Sequence, residues 1–198
     1  AKVSSEVLAA PAVGDAGVAV KSGDNRVVLL DAGDGGRKWL YQRSTPPLAV
    51  RSAAPPVIAD RFVFAGFPGG KLVALTLQNG APAWEGTVAS PKGATELDRV
   101  ADVVSVPAID GRQICGVAFQ GRVACFDMGQ GGALMWAREV SSASGLALDS
   151  RFLYVTDARG IAAAFALGAA GVQIGTAYLW CSEAKISAPH RAALQYAR

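Results

Sequence analysis

The sequence predicts an all-β protein, an arc of about four four-stranded β-propeller blades followed by a short α/β tail. Three observations carry this. Trp39, Trp84 and Trp136 stand 45 and 52 residues apart, and Pro11, Pro56 and Pro107 stand 45 and 51 apart, so one structural unit recurs along the chain. The 23 glycines and 10 prolines among 198 residues supply the tight turns that many short strands need. Hydrophobic content of 51% against 18% charge belongs to a packed chain and excludes a disordered one.

Each copy of the unit reads the same way. A proline opens two short apolar segments: Pro11-Ala-Val with Val18-Ala-Val20, Pro56-Val-Ile with Phe62-Val-Phe64, and Pro107-Ala-Ile with Ile114-Cys-Gly-Val117. A turn and an apolar strand follow, at Gly23 to Asp31, Gly69 to Thr76 and Gln120 to Asp127. A second glycine-bearing turn then leads to the tryptophan that opens a fourth strand; these turns are Gly33-Asp-Gly-Gly36, Gln78-Asn-Gly80 and Gly129-Gln-Gly-Gly132. A fourth copy begins at Gly145-Leu-Ala-Leu148 and Phe152-Leu-Tyr-Val155. A lone four-stranded sheet cannot bury both its faces, so such units must stack on one another. The recurrent tryptophan is expected to cover the seam between neighbours, with its N–H finding an acceptor there. An arc of blades that does not close leaves a blade face and sheet edges open, which predicts self-association through them.

Several function classes are excluded or given no support. A net charge of +3 with no block of Lys or Arg offers no concentrated basic face for nucleic acid. No run of about 18 apolar residues is present to span a bilayer as a helix, and no signal segment or lipid-attachment cysteine lies near Ala1. With His190 as the one histidine, no Ser/His/Asp arrangement can be built, and no glycine-rich loop fits a P-loop. Cys115, Cys125 and Cys181 lack the paired short spacing of a zinc site. Cys115 and Cys125 flank the Phe119 to Arg122 turn almost symmetrically and are either cross-strand neighbours or two buried small apolar residues. Free thiols are the expectation. Asp15, Asp31, Asp34, Asp127 and Asp149 fall in or beside turns, where an aspartate accepts backbone N–H bonds.

The phrase Leu-Asp-x-x-x-Gly-x-x-x-Trp, seen at Leu30 to Trp39, resembles the PQQ-like repeat family. That family includes quinone-dependent alcohol dehydrogenases, which hold quinone and calcium with acidic and amide ligands and usually carry a disulfide between adjacent cysteines. No adjacent pair occurs here, so the likeness to those enzymes ends at the scaffold. Two loops, Gln42 to Pro55 and Thr95 to Val103, resemble in pattern and order the long inter-blade loops of the BamB family of outer-membrane assembly lipoproteins. The resemblance covers about residues 1–157. It implies a non-catalytic periplasmic scaffold at the outer membrane that needs no cofactor and docks on BamA, the β-barrel that folds outer-membrane proteins. The family presents apolar residues and an arginine from the first loop and acidic residues from the second. The matching positions are Leu48, Val50, Arg51 and Asp102; where the family often has a second acid, this chain has Val104.

Beyond about Asp157 the character changes, and no tryptophan follows at the expected place near Ile174. Gly168 to Leu179 and Ser187 to Leu194 resemble nitronate monooxygenases, FMN enzymes with a TIM barrel. In that family a late strand ends in Gly-Thr, whose backbone N–H groups meet the flavin phosphate; Gly175 and Thr176 match it. The match lacks the glycine-rich segment before this strand and the family's catalytic histidine. A barrel of about 250 residues cannot be made from such a remnant. The chain therefore reads as composite, with blades over residues 1–159 and a helix-strand-helix tail over 160–198, and with FMN chemistry as the alternative function.

Overall fold

The computed structural model describes residues 3–149, 151–157, 162–166 and 172–173. They form four antiparallel four-stranded sheets, each with its strands in sequential order. The first blade is β1 (Ala12–Gly14), β2 (Gly17–Lys21), β3 (Arg26–Leu30) and β4 (Arg37–Gln42). The second is β5 (Val57–Ala59), β6 (Phe62–Phe67), β7 (Lys71–Thr76) and β8 (Pro82–Thr87). The third is β9 (Ala108–Asp110), β10 (Gln113–Val117), β11 (Arg122–Asp127) and β12 (Ala133–Glu139). The fourth is β13 (Leu146–Leu148), β14 (Phe152–Thr156), β15 (Ala162–Ala166) and β16 (Val172–Gln173). This is the expected blade arrangement, with strands where each proline, turn and tryptophan placed them.

The inner strands of the first three blades are largely buried on both faces because the seams between blades are apolar. Val27, Leu29 and Trp39 of the first blade pack with Val63, Phe67 and Leu75 of the second. Phe64, Leu72 and Ala74 meet Ile114, Ala124 and Phe126 at the next seam. Val117 and Val123 meet Leu153 and Val155 at the third. Tryptophan closes these seams in a recurrent way. Just before it, each outer strand carries a β-bulge: Leu29 pairs with Trp39 but Leu30 with Arg37, and Ala74 with Trp84 but Leu75 with Pro82. The third blade repeats this at Cys125–Trp136 and Phe126–Leu134. The extra residue re-aims the indole toward the neighbouring blade. Trp39 Nε1 donates to the Leu77 carbonyl at 2.9 Å and Trp84 Nε1 to the Gly132 carbonyl at 3.2 Å. Each acceptor lies in the glycine turn of the following blade, so the turn of one repeat receives the tryptophan of the repeat before it.

The aspartates of these turns do what their positions suggest. Asp31 accepts from Gly33 N, Asp34 from Gly36 N, and Asp127 from Gly129 N, at 2.8, 2.7 and 2.7 Å. Asp149 accepts from the amides of Arg151 and Phe152 and from the Tyr154 hydroxyl.

The expectation of free thiols is overturned. Cys115 and Cys125 form a disulfide across a hairpin. They are directly opposed in the β10–β11 register and both fully buried, with Cα atoms 4.1 Å apart. Two cysteines facing each other well inside the ~7 Å limit can bond without moving the backbone. Closing so short a loop stabilises by about 2–3 kcal/mol in the chain-entropy account. The Cys115→Ala/Cys125→Ala double variant is therefore expected to unfold at lower denaturant by that amount. Non-reducing peptide mapping should find the two cysteine peptides linked; their recovery as separate peptides would refute the bridge.

In the fourth blade, β14 pairs with β15 over five residue pairs and β15 with β16 over two. The division at residues 159 and 160 thus falls within this sheet. Gly175, Thr176, Cys181 and His190 lie outside the described residues.

Candidate functional site

With strands alternating in direction, the β2–β3, β6–β7 and β10–β11 turns share one end of the blades with the inter-blade connections. The long loops 43–56 and 88–107 therefore emerge on one face. Loop 43–56 has no strand of its own, yet it is tied down along its length. Arg43 forms an ion pair with Glu85 at 2.6 Å, and Lys71 reaches the same carboxylate at 3.1 Å. The hydrogen bond from Arg43 is the main reason the Glu85 carboxyl titrates below its ordinary value. Asn25 Nδ2 donates to Thr45 Oγ1 at 2.8 Å. Further along, Val50 N donates to Asp102 Oδ2 at 2.6 Å.

The four residues singled out in the two loops are brought to one place but are not alike. Asp102 is only 2% exposed. Its other oxygen accepts from Gly69 N at 2.9 Å, and its carbonyl accepts from Phe119 N at 2.8 Å. One aspartate thereby joins loop 43–56, the β6–β7 turn and the β10–β11 turn. With both carboxylate oxygens occupied by backbone amides, it acts as an internal tether for the loops. Val104, where a second acid was looked for, is also buried. Leu48, in contrast, is 43% exposed, and Val50 is half-buried above its bond to Asp102. The Arg51 side chain is 78% exposed and pairs with Glu6 Oε1 at 2.9 Å.

Four residues of this face were not picked out from the sequence. Leu97 is the most exposed large apolar side chain of the second loop, at 69%. Glu96 and Asp98 flank it, both exposed, so the solvent-facing acidic groups of that loop sit here rather than at Asp102. Hydrogen bonds from Thr95 hold the Asp98 carboxyl below its ordinary range. The fourth is Lys21, which lies 4% exposed at the end of β2. Its Nζ has no hydrogen-bond partner and stands 5.5 Å from the centre of the Phe67 ring. Burial pushes this ammonium down to about 8, against the opposing pull of the Asp102 charge. One sequence signal marked it: pairings Ala12–Ala19, Val57–Phe64 and Ala108–Cys115 place Lys21 level with Gly66 and Val117 of the next two blades. A lysine in a register position that is otherwise small or apolar is a break in the repeat.

The tryptophan-docked blades and the tethered loops on one face define a β-propeller of the PQQ-like repeat class. The sequence model described as outer membrane protein assembly factor BamB matches residues 1–169, and a second, described as nitronate monooxygenase, matches residues 155–198. The chain belongs to the BamB family. It is 48% identical over 167 residues to outer membrane protein assembly factor BamB of Bordetella pertussis, covering 84% of this chain and 43% of that protein. The protein of the same name from Nitrosomonas eutropha is 46% identical over 156 residues, 79% of this chain and 38% of the relative. The crystal structure of BamB from Moraxella catarrhalis superposes with a TM-score of 0.78 at 28% identity, over 84% of this chain and 50% of that one. A quinohemoprotein alcohol dehydrogenase from Comamonas testosteroni shares the fold, with a TM-score of 0.66 at 13% identity over 83% of this chain and 34% of its own. The chain thus spans about two fifths of the length of these curated relatives. Among the described residues, no helix is long and apolar enough to cross a membrane.

Proposed function

We propose that this chain supplies a non-catalytic docking face for the machinery that assembles outer-membrane β-barrel proteins, working in the periplasm at the outer membrane and needing no cofactor. BamA is the partner this reading favours. The observation that carries it is the pairing of exposed Leu48 and Arg51 with a loop whose backbone is fixed between them by the Val50–Asp102 bond. A loop already ordered loses little entropy on docking, and arginine beside an apolar residue suits an interface anchor. Leu97, Glu96 and Asp98 extend the same face from the second loop.

The test is the substitution Arg51→Glu in the full chain, read by capture of purified BamA. Affinity is expected to fall at least about tenfold, roughly 1.4 kcal/mol. The Arg51–Glu6 pair is exposed, so its loss should move the melting temperature by no more than a few degrees. Undiminished capture by this variant would remove the loop from the interface, and unfolding would make Arg51 a structural residue.

A further inference from the structure

At the end of the blades away from loops 43–56 and 88–107, a cleft of about 440 Å3 opens between the second and third blades. Phe62, Ile109 and Met128 line it and are half-buried, so apolar surface is open to a ligand. Arg61 and Arg112, one from each blade, line it too and are exposed. We propose that this cleft binds an extended peptide segment in which an apolar side chain stands next to a carboxylate. The site is separate from the docking loops and does not depend on their reading.

Three observations converge on that chemistry. The first is a repeat. Arg61 immediately precedes Phe62, which pairs with Ala59, and Arg112 precedes Gln113, which pairs with Asp110. In the fourth blade Arg151 precedes Phe152, whose carbonyl accepts from Asp149 N. One register position, at the tip of the first hairpin, thus holds arginine in three successive blades. Tight turns favour glycine, asparagine and aspartate and have no need of arginine, so the turn itself does not account for it. The second is that these guanidinium groups are placed but not consumed. Arg61 lies over the Phe62 ring at 5.3 Å and Arg151 over the Phe152 ring at 5.4 Å. Among the described residues, the Arg61 side chain makes no hydrogen bond or ion pair. Arg112 approaches Asp127 only at 3.9 Å, with its side chain 76% exposed. The Asp127 oxygens already accept from Gly129 N and Gln130 Nε2. An arginine stacked on a ring is partly ordered in advance, which lowers the entropy lost when a carboxylate binds. The third is the charge of the walls. Among the described lining residues, Asp60 is the one acid against two arginines. Its φ of 49° explains its presence, because aspartate and asparagine tolerate that conformation better than most residues. The volume falls within the range of ligand pockets, and the apolar lining calls for a side chain that a bare anion lacks.

The experiment titrates the isotope-labelled full chain with N-acetyl-phenylalanyl-glutamate amide, following the backbone amides of Phe62, Gly111, Gln113 and Gly129 by NMR. Saturable shifts are expected, with a dissociation constant of about 1–10 mM from one buried ring and one charge-assisted hydrogen bond. The phenylalanyl-glutamine and alanyl-glutamate counterparts should each bind at least about threefold more weakly, since each lacks one half of the recognised pair. The double variant Arg61→Gln/Arg112→Gln, checked for an unchanged fold by its amide spectrum, should weaken the glutamate peptide about tenfold and leave the glutamine peptide as it was. Asp60→Asn fits the same backbone conformation and should tighten glutamate binding about twofold, a gain that general damage to the fold does not produce. No saturation, equal binding of either control peptide, or equal shifts from inorganic phosphate overturns the proposal. So does weaker binding by Asp60→Asn, which would mark the site as one for a cation. BamA capture by the double arginine variant should equal that of the parent; a loss would merge this site with the docking face and overturn their separation. The peptide titration decides the proposal whether or not the parent captures BamA.

Discussion

Gly132→Ala should be among the most damaging single substitutions in this protein, costing about 3–5 kcal/mol and lowering the melting temperature by about 10 °C. Gly132 has a φ of 78° and sits under the indole of Trp84, where an added Cβ would lie 1.8 Å from Nε1. The backbone conformation alone costs an alanine about 1 kcal/mol. The larger part comes from the tryptophan, which must leave the seam and give up its bond to the Gly132 carbonyl. Its edge contact with Phe126, at 5.0 Å between ring centres, goes with it. The neighbour Gly131 is the control. It has nearly the same φ, 69°, but nothing lies within 4 Å of its added Cβ. Gly131→Ala should therefore cost only the backbone share, about 1 kcal/mol. Thermal unfolding of the two variants side by side measures the seam directly, and equal losses would show that backbone strain, rather than the tryptophan, sets the cost.

Asp102→Ala should be nearly as severe, about 3–5 kcal/mol, although it removes only a small polar side chain. Two buried amides, Val50 N and Gly69 N, lose their acceptors, and Lys21 loses the opposing charge that favours its ionised form. Loop 43–56 should also become the first site of proteolytic cleavage, since its mid-point restraint is gone while Arg43 and Thr45 still hold its start. Adding Lys21→Met to this variant should recover part of the loss, because the cation left without a counter-charge is then removed as well. Urea unfolding of the single and double variants gives the coupling. A stability within about 0.5 kcal/mol of the parent for Asp102→Ala would mean that the tether carries no weight.

The local pattern of the chain was enough to place the blades. Alternation of apolar residues, the proline that opens each unit and the Leu-Asp-x-x-x-Gly-x-x-x-Trp phrase are all written within about thirty residues of one another, and each strand is a local object. That reach also covers the turn aspartates, because Asp31 and Asp127 find their donors two residues away. It placed Leu48 and Arg51 on an exposed loop, since a proline-rich connection between two strands has few ways to be buried.

The tertiary structure decided what happens across the sheets and between them. Whether Cys115 and Cys125 bond depends on register, where a slip of one residue would turn them to opposite faces; the register sets them opposite each other. In sequence Asp102 stands out as the acid that matches the family's second loop, with nothing to mark it as buried. It is buried because its donors, Val50 and Gly69, approach from positions 52 and 33 residues away. Trp39 and Trp84 were recognisable as seam residues, but their acceptors, 38 and 48 residues on, follow from how one blade stacks on the next. Lys21 shows the division most plainly. Its place in the repeat marks it as unusual, while its burial, its missing acceptor and its position over the Phe67 ring arise only when the second blade stacks on the first. Backbone patterning is a short-range property of the chain, whereas burial and hydrogen-bond partnership belong to residues that meet only after the blades have stacked.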